Sequence, residues 1–426
     1  MDSETQTQTQ FGYTPENRIE LPEEMLLEIT KCLPRDDLAR FLRASKQTLR
    51  IGHPVLYTLS VEDSLDTFTW ACREKVDSVI ACLLPRLLQA NKDCPRVGHR
   101  ALRAAATHGR TEIVEKLVVH EVALDMPEYR LSPLTLAVRN DHADVVRLLI
   151  AAGAELDSID QNGFFEYDVG MLQNATGGRI VHSAVAWKSI KVLKTVLSMD
   201  LGIDIDARNT NGQTALCTAA ENGSTEVIQA LVSMNASPDI ACATGFTPLH
   251  YAVSGHHLAA TEALLVAGAD PGVRGPADSY ITPPLLTATL NSSAELAGLL
   301  LDHGANIEDT YDWRGRTTLS LAVEFGRGTD ILDLLLDRGA DINTQCVLGR
   351  RPIMYAAQCT NVFAAAKLLA RGCDLRPDHS GRTPEYFAVN SVMYCGTPQA
   401  QELLDLLGEA RKRPAGVVCP PKSALP

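Results

Sequence analysis

The sequence predicts an all-α fold in which about ten two-helix repeats stack into a solenoid. Three observations predict it. An Ala recurs at a nearly constant interval along most of the 426 residues, and a Gly follows several of these Ala residues at a fixed distance. Apolar residues at helical spacing fill the stretches between them. Such a period is typical of repeat proteins, in which each repeat is one supersecondary unit.

The recurring Ala sets the period. Eight of the nine intervals between successive copies span 32 to 36 residues, and one spans 47. The copies are Ala71, Ala105, Ala137, Ala184, Ala219, Ala252, Ala288, Ala322, Ala356 and Ala388. Gly153, Gly268, Gly304 and Gly372 follow their Ala by 16 residues and Gly339 by 17, so two landmarks stay in phase.

The copy around Ala252 indicates how one repeat is built. Thr247 and Pro248 favour a helix start, because Pro presets φ in the first turn. Gly268 favours a helix stop, because Gly adopts the left-handed conformation without strain. Second helices carry apolar residues at helical spacing, as in Val227, Ile228 and Leu231, and in Ile331, Leu335 and Leu336. A single repeat cannot bury this face, so neighbouring repeats must stack.

The segments TPLHYAV, SPLTLAV, QTALCTAA and RTTLSLAV resemble the ankyrin repeat, a turn and two helices with a T-P-L-H-x-A signature. The resemblance covers residues 65–408. The terminal copies are degenerate, as expected where one face has no neighbour. The last copy is predicted to have a long segment between its helices, from Asn390 to Gln399. The resemblance implies that a target contacts the turn tips and the first helices.

The chain before the repeats divides into two parts. Residues 1–18 are polar and predicted to be disordered, and residues 19–60 predict three short helices. Their opening Leu-Pro, apolar-striped helix and Pro-Asp turn resemble an F-box, which docks on the small adaptor of Skp–cullin–F-box ubiquitin ligases. The resemblance implies adaptor contacts at Leu21, Pro22, Leu26, Ile29, Leu33, Leu38 and Leu42. The Trp that many F-boxes carry in the third helix is absent, since that region reads SKQTLR. The alternative is that these helices only cap the array.

Two further segments have open interpretations. The 47-residue interval contains an insertion at residues 157–178, with Phe164, Phe165 and Tyr167. It is either a recognition loop or a loop whose aromatics pack on the neighbouring repeat, which the cost of exposing Phe favours. Residues 409–426 form a Pro-rich tail that is predicted to be frayed. Its basic stretch 411–413 is either a nuclear signal or a solvated helix end.

The late turn tips supply the candidate target-binding residues. Arg316, Arg350 and Arg382 share one position in three successive repeats. Beside them the sequence places Trp313, Val347, Leu348 and His379, and Phe325 lies at an exposed helix-end phase. Arg offers bidentate donors and Trp a rigid apolar anchor, so this group predicts a site for an acidic or phosphorylated peptide. The alternative is that each Arg is a solvated turn residue.

Composition and motifs restrict the function. The net charge of −13 argues against a nucleic-acid partner, which needs a basic footprint. The N-terminus lacks an apolar signal core and no apolar run predicts a bilayer span, so we expect a cytoplasmic or nuclear location. Eleven scattered Cys have no metal-site spacing and are interpreted as small buried residues in a reducing compartment.

The sequence contains no phosphate-binding Gly-rich loop, no G-x-S-x-G and no H-E-x-x-H. We therefore expect no catalysis, no cofactor and no metal. The sequence predicts a protein-interaction adaptor, monomeric outside its complex, that acts as the substrate receptor of a Skp–cullin–F-box ligase with an unknown target. The alternative is an ankyrin scaffold without a ubiquitin role.

Overall fold

The computed structural model describes residues 60–126, 128–129, 131–156, 178–199, 201–209, 211–275, 282–312, 314–325, 329–395 and 398–412. The chain divides into two compact units, Met1–Ser158 and Ile159–Pro426. In the described ranges all regular structure is helical. Isolated β-bridges join Arg208 to Thr214 and Thr310 to Thr317. The all-α prediction is confirmed.

The described part of the first unit holds three helix pairs. They are α1 (Val61–Glu74), α2 (Asp77–Asp93), α3 (Pro95–Thr107), α4 (Thr111–Val119), α5 (Pro133–Arg139) and α6 (Ala143–Ala151). Helix α2 is longer than the other second helices here and contains Pro85. The first repeat is therefore atypical, as its degenerate sequence predicts.

Seven pairs follow in the second unit. They are α7 (Gly178–Ala186), α8 (Ile190–Ser198), α9 (Ala215–Glu221), α10 (Thr225–Ser233), α11 (Pro248–Ser254), α12 (Leu258–Val266), α13 (Pro284–Leu290), α14 (Ala294–Asp302), α15 (Thr318–Phe325), α16 (Thr329–Asp337), α17 (Pro352–Gln358), α18 (Val362–Ala370), α19 (Pro384–Cys395) and α20 (Pro398–Lys412). Helix α20 extends past residue 408, the predicted end of the array.

The packing within each unit follows the repeat order. In the second unit, α9 packs on α11 and α17 on α19, while second helices such as α10 and α12 pack on each other. All ten landmark Ala residues are at most 2 % exposed. A side chain of this size lets neighbouring helices approach closely, and larger ones would strain a core packed to native density.

The helix starts follow the cap chemistry that the sequence predicts. Thr247 caps α11 before Pro248, and its backbone and side chain pair reciprocally with His250 in a capping box. The Ser132 hydroxyl accepts from the Thr135 N–H at the start of α5, and Thr214 accepts from the Cys217 N–H at the start of α9. Such caps satisfy N–H groups that the helix leaves unpaired.

A left-handed residue separates the two helices of most repeats. It is the fourth residue after the landmark Ala, with φ between 53° and 64° at Lys75, Gly109, Asp141, Lys188, Gly223, His256, Ser292 and Thr360. Only two of these eight residues are Gly. The others carry a Cβ in a conformation that costs about 1–2 kcal/mol for most residues.

Replacing Thr360 with Gly is expected to raise the free energy of unfolding by about 1 kcal/mol. Thr360 has φ of 53° and is β-branched, so it is poorly suited to the left-handed region. Part of the relief is offset by the greater freedom of Gly in the unfolded chain. The measurement is urea unfolding of the full chain. Thr360→Ala, which keeps a Cβ, is the control, and an equal gain from both variants would contradict the explanation.

Two predictions about the repeats are wrong. The sequence predicts a segment between the helices from Asn390 to Gln399, but α19 continues to Cys395 and α20 begins at Pro398. The Cys residues are not all buried, since Cys94 and Cys359 are exposed and Cys373 is half-buried. Five others are buried as expected: Cys72, Cys82, Cys217, Cys242 and Cys346.

The predicted adaptor contacts Leu21, Pro22, Leu26, Ile29, Leu33, Leu38 and Leu42 lie outside the described residues. So do residues 157–177 of the insertion and residues 413–426 of the tail. The predictions for these segments stay predictions.

Candidate protein-binding surface

A hairpin with Gly at its tip precedes the first helix in each of the last three repeats. Gly315, Gly349 and Gly381 have φ of 69°, 75° and 76°, in the region that Gly adopts without steric penalty. At Gly349 a Cβ would lie only 2.5 Å from the His379 ring. A side chain there would push two neighbouring hairpins apart.

Backbone hydrogen bonds join these hairpins to one another. The Val347 N–H donates to the Arg314 carbonyl at 2.7 Å, and the His379 N–H donates to the Leu348 carbonyl at 3.2 Å. Three successive hairpins therefore form one continuous ridge, and the side chains on it hold fixed mutual positions.

We define the tip surface as Tyr311, Arg314, Val347, Leu348 and His379. All five residues are exposed. Val347 is 62 % exposed, and Tyr311 and Leu348 are each 37 % exposed. Clustered exposed apolar side chains on a folded protein mark an interaction surface. The ridge offers apolar contact area with polar side chains beside it.

Phe325 does not belong to this ridge. It is 48 % exposed, as its phase predicts, but it ends α15 whereas the hairpin precedes that helix. An eight-residue helix is about 12 Å long, which separates Phe325 from the hairpin. Trp313 lies outside the described residues.

Arg316 is held inside its own repeat. Its side chain is 12 % exposed and lies between the carboxylates of Asp312 at 3.0 Å and Glu324 at 2.6 Å. Its guanidinium also covers the Tyr311 ring at 5.2 Å. Burial alone would lower the pKa of Arg316, but hydrogen bonds from the guanidinium to both carboxylates, and their charge, raise it above its usual value. Arg316 therefore has both carboxylates as intramolecular partners.

Arg350 and Arg382 converge on one carboxylate. Asp378, whose side chain is fully buried, lies 2.9 Å from Arg382 and 3.9 Å from Arg350. Both guanidinium groups also cover the Phe387 ring, at 5.5 Å and 4.7 Å. Arg350 further donates to Gln358 at 3.3 Å. Arg382 is thus closely paired, and Arg350 more loosely.

Burial alone would raise the pKa of Asp378. Hydrogen bonds from the Arg382 backbone and guanidinium and from the Ser380 N–H outweigh it and lower the pKa below its usual range. The carboxylate is therefore charged at neutral pH and closes its hairpin, with Oδ1 accepting from Ser380 and Arg382 N–H groups at 2.9 Å each.

The structure thus neutralises the predicted row of positive charge at Arg316, Arg350 and Arg382. The residues that sequence reasoning missed are Asp312 and Asp378, each four positions before its Arg. The pattern D-x-x-G-R was the signal that indicated the pairing. A direct contact between these arginines and a target stays a prediction.

The histidines at the repeat's His position have a structural role. His182 Nε2 lies 2.9 Å from the Ala207 carbonyl of the following loop. His250 Nδ1 accepts from the Thr247 N–H at 3.2 Å. Burial lowers the pKa of both rings, to about 4 for His250. Both rings are therefore neutral at physiological pH.

The described residues offer neither a metal site nor a membrane-spanning helix. No group of three His, Cys, Asp or Glu side chains there is placed to hold a metal ion. No helix in the same ranges is both long and apolar enough to cross a bilayer. The exposed residues at the turn tips make the tip surface the candidate binding site in the described part of the chain.

Comparison with known proteins gives consistent matches along the repeats. The family model that matches describes three consecutive ankyrin repeats. It matches four stretches of this chain, residues 68–160, 181–275, 277–346 and 328–407. Human transient receptor potential cation channel subfamily A member 1 is 25 % identical over 336 residues, which cover 68 % of this chain and 29 % of that protein. Human ankyrin repeat and SOCS box protein 3 is 30 % identical over 173 residues, 40 % of this chain and 32 % of that protein.

Among solved structures, the ankyrin repeat domain of Bcl-3 is 27 % identical and superimposes with a TM-score of 0.46. The match covers 55 % of this chain and 97 % of that domain. The chain spans less than a third of the length of the two curated relatives, so their whole-protein activities do not transfer with the repeats.

Proposed function

This chain belongs to the ankyrin-repeat family, whose repeats are protein-interaction modules, and we propose that it is the substrate receptor of a Skp–cullin–F-box ubiquitin ligase. In this proposal the N-terminal segment binds the Skp-family adaptor and the tip surface binds the target. The protein performs no chemistry itself. It holds the target near the ubiquitin-charged enzyme and so raises the effective concentration of the reacting groups.

The observation that carries the target-binding half is the hydrogen-bonded ridge of exposed apolar residues. Val347 and Leu348 extend from backbone that is tied to the hairpins on both sides, so a partner that binds them orders little further structure. Binding surfaces that are preorganised lose less conformational entropy on association. The arginines stabilise the hairpins, because Arg316 pairs with Asp312 and Arg382 pairs with Asp378.

The adaptor-binding half rests on the sequence of residues 19–60. The Leu21-Pro22 opening and the apolar positions through Leu42 are the features that resemble an F-box. The name of ankyrin repeat and SOCS box protein 3 gives a precedent for a chain that combines ankyrin repeats with a box segment. The combination of two short interaction parts is therefore a reasonable architecture for a receptor.

A reciprocal co-purification experiment tests the proposal. Changing both Leu21 and Ile29 to Asp is expected to weaken capture of purified Skp-family adaptor by at least about tenfold, since charge enters an apolar interface, while target capture persists. Changing both Val347 and Leu348 to Asp is expected to weaken capture of the target while capture of the adaptor persists. Targets are identified beforehand by proximity labelling with the unaltered chain.

Val266→Asp is the matched control, because Val266 is 74 % exposed on α12 and lies outside both surfaces. It is expected to retain adaptor and target. If the adaptor does not bind, or binds equally to the Leu21 and Ile29 variant, the ligase role is wrong. The alternative is then a scaffold with no ubiquitin role, which predicts that depleting this protein leaves the half-life of its target unchanged.

A further inference from the structure

The second helices of five repeats share an acidic second residue. These residues are Glu112, Asp144, Glu226, Glu295 and Asp330. An acid in the first turn of a helix is favoured because it interacts with the positive end of the helix dipole. In these five repeats the acid therefore stabilises the second helix.

Helices α8, α12 and α18 lack an acid in the first turn. Helix α8 differs from the other two because its second residue is the cation Lys191. Lys188 precedes the helix and Lys194 lies one turn on, and all three lysines are exposed. No ion pair involves any of the three within the described ranges. Lys367 on the later second helix α18 is paired instead, with the carboxylate of Asp333.

A cleft of about 330 Å³, lined mostly by residues with apolar side chains, opens at the other end of α8. Val196, Leu197, Ser198 and Met199 line it from the end of the helix, Leu201, Gly202, Ile203 and Ile205 from the loop, and Met234 from the next repeat. Met234 is 41 % exposed. The loop sequence LGIDI stands where other repeats have polar turns such as GAD.

The lysines lead to this cleft along one face of the helix. Lys191, Lys194 and Ser198 are spaced i, i+3 and i+7, so they share a face. Seven residues of helix span about 10 Å. A partner segment of a few residues can therefore cover both lysines and reach the cleft.

We propose that α8 and this cleft form a docking site for an acidic segment of a partner protein that carries one bulky apolar side chain. The carboxylates lie over Lys191 and Lys194, and the apolar side chain enters between Leu201 and Met234. Charge complementarity selects this partner, because the lysines have no ion-pair partner among the described residues of a chain whose net charge is −13. The exposed Asp204 on the loop would repel an acidic residue that follows the apolar residue of the partner segment.

The position of Lys191 supports a binding role over a purely structural one. A cation in the first turn of a helix opposes its dipole, so this residue is locally unfavourable for the fold. Residues that break a local rule without a compensating contact are concentrated at functional sites. The site lies on α8 and α10 and shares no residue with the tip surface, so it is independent of the proposed ligase role.

Fluorescence anisotropy with the full chain tests the site. The probe is a short labelled peptide of Glu and Asp with a single Phe. We expect Lys191→Glu to weaken its binding by at least about tenfold while raising the thermal unfolding midpoint, because an acid at this position suits the helix dipole. Leu201→Ser is expected to weaken the same peptide, but not a peptide with Ser in place of Phe.

Lys116→Glu is the control, since Lys116 is an exposed lysine on α4 and undergoes the same charge change. Equal loss from Lys116→Glu and Lys191→Glu would overturn the proposal, because it would mean that net charge alone governs binding. Tighter binding of single-stranded DNA or phosphatidylserine vesicles through Lys191 would also overturn it. Peptide binding that depends on Lys191 and on the Phe, and weakens as salt rises, would support it.

Discussion

Replacing Asp378 with Ala is expected to lower the free energy of unfolding by about 3 kcal/mol, the scale for breaking one partner of a buried ion pair. The variant leaves the guanidinium of Arg382 without its acceptor at 2.9 Å. It also removes the acceptor of the Ser380 and Arg382 N–H groups that closes the hairpin. The orphaned donors, rather than the lost attraction, account for most of the effect.

Urea unfolding of the full chain measures this loss. Asp378→Asn, which keeps a carbonyl oxygen for the backbone donors but lacks the charge, is expected to lose about half as much. Glu402→Ala on α20 removes an exposed carboxylate from the same repeat and is expected to change stability by less than about 0.5 kcal/mol. An Asp378→Ala variant as stable as Glu402→Ala would show that the hairpin does not depend on this carboxylate.

The pKa of Asp378 also sets the direction of its pH dependence. Because the folded-state pKa is lowered, its contribution is present above the unfolded-state pKa near 3.8 and is lost as pH falls through the folded value. The ion pair therefore contributes fully at neutral pH. This window lies below the one in which the buried histidines act.

The sequence predicts the repeats well because each repeat requires a small residue, the landmark Ala, at the position where its helices pack closely. Ala252 and its nine equivalents are buried between helices, where a larger side chain would clash. Gly268 and its equivalents adopt positive φ, with φ of 92° at Gly268 itself. Both requirements are local, so the Ala leaves a signal in all ten copies and the Gly in five of them.

Interactions between side chains leave a weaker signal. Arg350 shares its position with Arg316 and Arg382, but Cys346 stands four residues before it where they have Asp. It therefore reaches Asp378 of the next repeat, at 3.9 Å. The cleft beside α8 likewise depends on how a loop and Met234 of the next repeat meet, which a single period does not specify.

The error at the end of the array has a backbone cause. Eight of the other repeats turn between their helices at the fourth residue after the landmark Ala, with a left-handed conformation. In the last copy that residue is Val392, which lies within the helix and does not adopt this conformation. The first helix therefore continues to Cys395, and the predicted loop from Asn390 is mostly helix.

Acidification from pH 7 to pH 4 is expected to lower the free energy of unfolding by about 3 kcal/mol through His250 alone. Burial lowers its pKa from 6.5 to about 4 in the folded state. Between these values the unfolded chain binds a proton that the folded chain does not, so stability falls as pH falls. Above pH 6.5 both states are neutral, and below pH 4 both are protonated, so the loss is confined to this window.

The capping box explains why the folded protein resists protonation of this ring. Nδ1 accepts the Thr247 N–H at 3.2 Å, so a proton on Nδ1 would remove the acceptor and place charge in a site that is 2 % exposed. Gln at the same position completes a capping box without titrating. His250→Gln is therefore expected to keep most of the stability at pH 7 and to lose about 3 kcal/mol less than the unaltered chain by pH 4.

Urea unfolding at several pH values between 7 and 4 measures the difference. His379→Gln serves as the control, because it makes the same substitution at a residue that is exposed on the tip surface. Burial also lowers the pKa of His182, so this residue also lowers the stability on acidification. Both variants keep His182 and therefore keep this loss. If His250→Gln and the unaltered chain lose stability in parallel over this range, the ring is not the titrating group. The acid sensitivity of the repeats must then reside in His182 and the other buried histidines.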